Sequence, residues 1–376
     1  MPRWRLFVEL IIMPSYSAAH IWANVKYLVR VFGRKPLFVP RLARNYIKLA
    51  ANPNRPPIRF VDVAITYRCN MHCEHCSATE MIQDGRPFLS LDDYRLIAKK
   101  LLDAGALVFN FTGGDPFMRD DLYDIITCFQ PHKALIAVQT NGLLLTKDRL
   151  RDLKRLGVNS INISLDSADP AIHDEFRGTP GAFEHVIQGL QNALAMGFNT
   201  GISYTITHDS FGSEDWGRML ELTSDLGTNM FYNLAVPIGF WKGQYDNLLT
   251  PEDRKELLKI LQKYPHTKTD HESTYIRRGC GAVKEKIYLT AYGDVIPCPF
   301  IQVSFGNLLT DEFETIRDRA LRYKYFTAYH PVCIAAEDRA FIANTKCYGL
   351  DADQMQMPIP YEQAFRDEAE ALDSKS

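Results

Sequence analysis

The hydrophobic pattern between residues 59 and 264 alternates between two kinds of segment. Short runs of β-branched and aromatic residues predict buried strands, and longer segments with apolar residues at helical spacing predict amphipathic helices. The predicted strands are 60–67, 107–112, 134–140, 159–165, 199–207 and 229–236. The predicted helices are 90–104, 119–129, 146–156, 181–196, 213–226 and 250–263. Six successive βα units predict an α/β protein whose parallel sheet curls into a partial, TIM-like (β/α)6 barrel.

The segment before the barrel differs in pattern and in charge. Its apolar positions predict three short amphipathic helices, at 4–13, 18–33 and 38–51. Residues 1–58 carry ten Lys or Arg and one acid, a net charge of +9 that leaves −11 for the rest of the chain. A basic helical arm with aromatic residues such as Trp4 and Trp22 is typical of helices that lie on an anionic membrane surface. The alternative is a helical extension that packs on the barrel.

Composition indicates the cellular compartment of the protein. No run of about 18 or more uncharged apolar residues is present, so we expect no membrane-spanning helix. The chain has eight cysteines, and their clustered spacing in 376 residues indicates metal binding in a reducing compartment rather than disulfides. We therefore expect a cytoplasmic protein, with peripheral binding to the cytoplasmic face of the membrane if the arm acts as a membrane anchor. We expect no nucleic-acid partner.

Three cysteines occupy the loop that leaves the first predicted strand. Cys69, Cys73 and Cys76 have the spacing C-x3-C-x2-C. Structural zinc takes four protein ligands, whereas three thiolates suit an iron–sulfur cluster that keeps one iron open. Zinc held by these cysteines together with His72 or His75 is the alternative.

The cysteine loop resembles that of the radical S-adenosylmethionine (SAM) enzymes. His75 stands at the position before the third cysteine, which is usually aromatic in that family. The resemblance implies that the three cysteines hold a [4Fe–4S] cluster whose fourth iron binds SAM. It also implies that reduction cleaves SAM to a 5′-deoxyadenosyl radical, which abstracts hydrogen from a substrate. Flavodoxin or ferredoxin would be a fitting electron donor.

Further motifs follow the next predicted strands. Phe111-Thr-Gly-Gly-Asp-Pro116 resembles the Gly-Gly-Glu-Pro motif that binds the SAM amino group, with Asp115 in place of the Glu. Gln139-Thr-Asn-Gly142 is also similar to the family, and Ser164 and Asp166 would lie near the ribose and carboxylate of SAM. The resemblance covers about residues 59–240. The implied cofactor-binding residues are His75, Gly113, Gly114, Asp115, Pro116, Asn141, Ser164 and Asp166.

A second group of cysteines follows the predicted barrel. The pattern Cys280-x12-Gly293-x4-Cys298 resembles the opening of the SPASM/twitch extension of many radical SAM enzymes. The resemblance implies that Cys280, Cys298, Cys333 and Cys347 bind one auxiliary [4Fe–4S] cluster. A zinc ribbon with the same four thiolates is the alternative. Cys128, on a predicted helix, is left over as a small buried hydrophobe.

These patterns predict four regions: a basic helical extension (1–58), a radical SAM partial barrel (59–265), a SPASM/twitch-like domain (266–350) and an acidic tail (351–376). We expect a radical SAM oxidoreductase or transferase that acts on a small molecule, a peptide or a lipid, and the basic arm favours a membrane lipid or lipid-linked molecule. One alternative is a maturase of a ribosomal peptide. An alternative of another class is a metal-stabilised binding protein without catalysis. The sequence names no catalytic acid or base.

Overall fold

A computed structural model describes residues 33–269, 279–350 and 355–366. The predicted helix at 4–13 and all but the last residue of the one at 18–33 lie outside these ranges. The third predicted helix is confirmed, since Phe38–Ala51 forms helix α1.

The centre of the fold is a nine-stranded sheet with the order β7-β6-β5-β4-β3-β2-β1-β8-β9. Neighbouring strands are parallel except β8 and β9, which pair antiparallel. The strands are β1 Phe60–Thr66, β2 Val108–Gly113, β3 Leu135–Thr140, β4 Ser160–Ser164, β5 Asn199–Ile206, β6 Asn229–Leu234, β7 Thr267–Thr269, β8 Lys286–Leu289 and β9 Val295–Ile296. All six predicted strands are present in the predicted parallel arrangement.

Helices follow the strands in the expected βα alternation. They are α2 Leu91–Ala104, α3 Leu122–Cys128, α4 Lys147–Leu156, α5 Pro170–Phe176, α6 Ala182–Ala195, α7 Glu214–Asp225 and α8 Pro251–Lys263. Ser90 and Thr250 form capping boxes at the starts of α2 and α8, as their sequence predicts. Helix α5 was not predicted; it begins at a Pro after Asp169, whose side chain accepts from two backbone N–H groups.

Helix α1 packs on the barrel near the starts of β2 and β3. Phe38 is buried against Leu107, directly before β2. The buried Lys35 ammonium donates to the carbonyls of Ala134 and Gly157 and to the side chain of Asn159. Burial lowers the pKa of Lys35 to about 8. The described part of the basic arm therefore packs on the barrel, which is the alternative to membrane binding.

The C-terminal region continues the barrel core. Strands β8 and β9 extend the main sheet, while β10 (Val303–Ser304) pairs with β11 (Ile359–Pro360) in a separate small sheet. The remaining helices are α9 Phe313–Leu321, α10 Ile334–Glu337 and α11 Arg339–Asn344. One hydrophobic cluster runs from the barrel through this region and includes Met357 and Ile359. Residues 355–366, which the sequence placed in an acidic tail, therefore contribute to packing.

Candidate active site

The three loop cysteines border one cavity at the carboxyl end of β1. This cluster cavity has a volume of about 240 Å³, and Cys69, Cys73 and Cys76 all line it. Of the eight predicted cofactor-binding residues, five also line it: His75, Gly113, Gly114, Asn141 and Ser164. Asp115, Pro116 and Asp166 are not among the lining residues. The structure thus brings the cysteines and most of the predicted SAM contacts to one place.

Two glycines allow neighbouring backbone segments to pack closely against the cysteine loop. A Cβ atom on Gly114 would lie 2.2 Å from the carbonyl oxygen of Arg68, the residue before the first cysteine. Gly239, after β6, has a positive φ of +61°, and a Cβ there would lie 2.2 Å from the carbonyl oxygen of Cys76. No side chain fits at either contact, so glycine lets neighbouring strand ends approach the loop. Sequence reasoning did not single out Gly239, since it lies outside the recognised motifs.

Asp115 joins two loops of the site by hydrogen bonds. Its carboxylate is fully buried and accepts from the Thr140 hydroxyl over 2.7 Å and from the Asn141 and Phe117 backbone N–H groups over 2.8 and 2.9 Å. Burial raises its pKa, while these donors oppose the shift. The bonds fix the loop after β2 against the loop after β3. A direct contact of Asp115 with the SAM amino group stays a prediction, since Asp115 is not among the residues that line the cluster cavity.

Arg177 connects the predicted residue Asp166 to the cysteine loop. Its guanidinium forms an ion pair with Asp166, with Nε 2.6 Å from Oδ2, and it donates from Nη1 to the sulfur of Cys73 over 3.4 Å. Burial is the largest single effect and opposes ionisation of Asp166. Arg177, together with His75, His173 and the Thr205 N–H, outweighs burial, so the pKa of that carboxyl lies below its usual value. The other Asp166 oxygen accepts from the backbone of Thr205. Asp166 therefore orients a sulfur-binding arginine. Arg177 was not among the predicted site residues.

His75 forms part of an aromatic wall of the cavity. Its ring stacks on Phe176 with centroids 4.8 Å apart, and Trp241 packs against it at 5.7 Å. Burial, with a smaller contribution from Arg177, lowers the pKa of His75 to about 4, so the ring is neutral near pH 7. The position thus keeps the aromatic character that the sequence comparison implies.

The donor set fits an iron–sulfur cluster. Three cysteine sulfurs border one cavity, and two of them accept N–H donors: Cys73 from Arg177, and Cys69 from the Asn141 amide over 3.5 Å. Hydrogen bonds to sulfur are a usual feature around such clusters. Within the described ranges, no three His, Cys, Asp or Glu side chains stand close enough together to hold a single metal ion.

The four C-terminal cysteines share one neighbourhood. The thiols of Cys280 and Cys333 both act electrostatically on Cys298. Tyr348 lies within reach of Cys298, Cys333 and Cys347, and Cys347 also interacts with the backbone of Gln302. Burial raises the pKa of Cys333 and of Cys347 to about 12. A bound metal ion would favour the thiolate form at such buried positions.

Two family models match the chain at these two sites. The model described as the radical SAM superfamily matches residues 63–222, and SPASM, an iron–sulfur cluster-binding domain, matches residues 280–347. The chain belongs to the radical SAM superfamily. It is an enzyme whose cofactors are a [4Fe–4S] cluster and SAM, with additional iron–sulfur chemistry in the SPASM domain. The predictions of family, fold class and cofactors are confirmed.

Relatives of this radical SAM protein differ in what they make. An AdoMet-dependent heme synthase of Nitratidesulfovibrio vulgaris is 27% identical over 329 residues, which cover 76% of this chain and 89% of that protein. The subtilosin biosynthesis protein AlbA of Bacillus subtilis is 27% identical over 305 residues, which cover 77% of this chain and 66% of AlbA. Among solved structures, Streptococcus suis SuiB bound to its precursor peptide SuiA matches with a TM-score of 0.56 at 15% identity. The match covers 73% of this chain and 68% of SuiB. The last comparison shows the fold alone.

A second cavity lies inside the radical SAM barrel. This barrel cavity has a volume of about 220 Å³ and shares part of its wall with the cluster cavity, including His75 and Arg177. Its polar lining comes from successive strands and from the SPASM domain: Asp62, Asn110, Gln139, Ser164, Ser203, Thr205, Asn233, Tyr288 and Gln302. The arrangement offers a space for a substrate group beside the space for the cofactor.

Proposed function

We propose that this protein is a radical SAM maturase of a ribosomally made peptide. The barrel cavity carries this proposal because most of its polar lining is neutral amide or hydroxyl, as in Gln139, Ser203 and Asn233. Such groups form hydrogen bonds with peptide groups and uncharged side chains. The volume of about 220 Å³ lies below the roughly 300–1,000 Å³ of sites that enclose a whole small molecule. It suits one inserted side chain of a longer substrate.

Charge distinguishes a peptide from a porphyrin substrate. Among the described residues that line the barrel cavity, the charged ones are Asp62 and Arg177. Arg177 is already paired with Asp166, and Asp62 lies 3.5 Å from the Lys286 ammonium. A porphyrin carries carboxylates, which would meet Asp62 without an additional cation in this lining. The cavity therefore favours the peptide substrates of relatives such as AlbA and SuiB over heme synthesis.

The residues of this chain have distinct roles in the proposed reaction. The cluster and SAM together supply the 5′-deoxyadenosyl radical that takes a hydrogen atom from the substrate. Asn141 and Arg177 fix cysteine sulfurs by hydrogen bonds. His75 and Trp241 form an apolar wall that keeps water from the reacting groups. Glu80 accepts from the Gly239 N–H over 2.9 Å and pairs with Lys242, which holds the loop after β6 over Cys76.

Co-expression tests the proposal. The chain is produced with each short peptide encoded beside its gene, and the peptides are analysed by mass spectrometry. We expect one peptide to change in mass, at a single residue, with wild type but not with Cys73→Ala. Unchanged masses, together with heme formation by the reconstituted enzyme, would overturn the proposal. A reduced flavodoxin or ferredoxin should replace dithionite as electron donor.

The lipid substrate that the basic arm suggested has less support. Among the described residues, no helix combines the length and the apolar character needed to cross a membrane. Lys35 and Arg41 donate to barrel carbonyls, and Arg55 pairs with Glu314 and Asp318. These cations act within the protein rather than at an anionic surface. Membrane binding was predicted for residues 1–52 and stays a prediction. Sedimentation of a 1–32 deletion with anionic vesicles can test the part of this segment that lies outside the described residues.

A further inference from the structure

We propose that Asn110 and Gln302 form a substrate subsite that recognises a nitrogen-bearing side chain through its N–H donors. We call these two residues the amide pair. The inference rests on the proposed function, which makes the whole substrate a peptide, and it adds which side chain of that peptide enters the cavity. The SPASM domain supplies Gln302. It would therefore recognise substrate as well as bind metal through its cysteines.

The orientation of both amides follows from their partners. Gln302 Nε2 donates to the backbone carbonyl of Ser77 over 3.2 Å, and Asn110 Nδ2 donates to Asp62 Oδ1 over 2.8 Å. A carbonyl and a carboxylate only accept, so the amide nitrogens must face them. The amide oxygens, Asn110 Oδ1 and Gln302 Oε1, are then left buried without a partner among the described residues.

A buried oxygen without a protein partner, in a residue that lines a cavity, is available to a hydrogen-bond donor on a ligand. Leaving a buried acceptor unsatisfied costs about 1–3 kcal/mol, and native proteins contain few such groups. Gln302 is only 1% exposed, so bulk solvent does not reach its side chain. Both members of the amide pair line the barrel cavity. Donor groups of a ligand bound there could pair with these oxygens.

The strand register places the subsite in the barrel interior. Asp62 on β1 is paired with Asn110 on β2 and with Tyr288 on β8, so the three residues are at one level of neighbouring parallel strands. All three line the barrel cavity. Gln302 reaches the same cavity from the segment before β10, directly beside Ser77 and the cysteine loop. The amide pair therefore lies next to the cofactor space that the cavities share.

The chemistry of the subsite selects donors over acceptors. Two amide oxygens accept hydrogen bonds, and the Asp62 carboxylate adds negative charge that Lys286 offsets at 3.5 Å. A guanidinium, an ammonium or a primary amide carries at least two N–H donors for such oxygens. A carboxylate would meet acceptors, and an aliphatic side chain would leave them unsatisfied. We therefore expect the substrate residue that enters the cavity to carry nitrogen.

Binding of capped amino acids to the reconstituted, SAM-loaded protein tests the amide pair. The probes are the N-acetyl methylamides of arginine, leucine and glutamate, measured by titration calorimetry. We expect the arginine probe to bind most tightly. Gln302→Met should weaken it by about tenfold while leaving the leucine probe unchanged, since one hydrogen bond is lost. Gln188→Met, on the exposed side of α6, is the matched control and should have no effect.

The outcomes separate the subsite from the proposed function. Equal affinities of the three probes for wild type, or tightest binding of the glutamate probe, would overturn the subsite even if Gln302→Met fails to fold. Unchanged arginine binding by a folded Gln302→Met protein would also overturn it. A peptide that is still modified in co-expression would then preserve the maturase function. Selective arginine binding without peptide modification would preserve the subsite and contradict the maturase.

Discussion

Arg177 donates a hydrogen bond from Nη1 to the sulfur of Cys73, 3.4 Å away. The same guanidinium is paired with the buried carboxylate of Asp166, at the end of β4. The SAM-site cysteine loop, which follows β1, is thus connected by one charged side chain to the end of β4, three strands away in the sheet. This contact helps to fix the arrangement of the cysteine loop from outside the loop's own sequence.

We predict that Arg177→Met destabilises the protein strongly. The substitution leaves Asp166 as a buried charge without its cation, which costs about 3–5 kcal/mol of unfolding free energy. Urea unfolding measures the loss. Arg151→Met is the matched control, because Arg151 forms an exposed pair with Asp148 and such pairs contribute about 1 kcal/mol or less. Equal effects of the two substitutions would mean that the Asp166 pair does not stabilise the site.

We predict that Gly239→Ala loosens the cysteine loop. The new Cβ would lie 2.2 Å from the Cys76 carbonyl oxygen, so the loop after β6 must move. Gly212→Ala is the control, since Gly212 has a similar positive φ of +78° but no atom within 4 Å of the added Cβ. Iron retention during anaerobic gel filtration should fall for Gly239→Ala and stay at the wild-type value for Gly212→Ala. The same iron content in both variants would refute the contact.

We predict a pH dependence of stability from His173. Burial, more than the opposing effect of Asp166, lowers its pKa to about 4, and its Nδ1 accepts from the backbone N–H of Asp166. The unfolded chain, with a His pKa of about 6.5, binds the proton first as pH falls. Stability is therefore lost between about pH 6.5 and pH 4, by about 2 kcal/mol from pH 7 to pH 5.

The urea midpoints of wild type and His173→Gln at pH 7 and pH 5 measure this dependence. The variant should lose less stability than wild type over this interval. His185→Gln, on the exposed side of α6, should lose as much as wild type. Parallel pH profiles of all three proteins would contradict the assignment.

We predict that Cys298→Ala removes about four of about eight irons per chain and leaves SAM cleavage in place. Cys298 lies with Cys280 and Cys333 in the SPASM domain, and the SAM-site cysteines border a different cavity. Iron and sulfide assays on the anaerobic protein measure the change. Full iron content in the variant, or zinc without sulfide in wild type, would show that these cysteines do not bind an auxiliary iron–sulfur cluster.

Sequence alone predicted the features that are local in the chain. Each of the six strands is a short local segment rich in β-branched and aromatic residues, and the cysteine loop is a short motif, so both could be predicted without the fold. Strand β7 was missed because its three residues, Thr-Lys-Thr, carry no apolar pattern. Only its pairing with β6 makes it a strand.

The features that sequence did not predict depend on distant partners. Nothing in a basic arm marks Lys35 as buried, because its acceptors follow about a hundred residues later. The hydrogen bonds of Asp115 with Thr140 and Asn141 could not be predicted either, because these donors follow about 25 residues later. Gln302 stands in an unremarkable stretch of the SPASM domain, and only the fold brings it into the barrel cavity.

Formation of 5′-deoxyadenosine from SAM tests the central claim most directly. Anaerobically reconstituted wild type with dithionite should release it, and Cys69→Ala, Cys73→Ala and Cys76→Ala should each release none, because the open iron needs all three thiolates. Cys128→Ala, whose sulfur lies on α3 away from both cysteine groups, should cleave SAM at the wild-type rate. Release of 5′-deoxyadenosine by any of the three loop variants would contradict the assignment of this site.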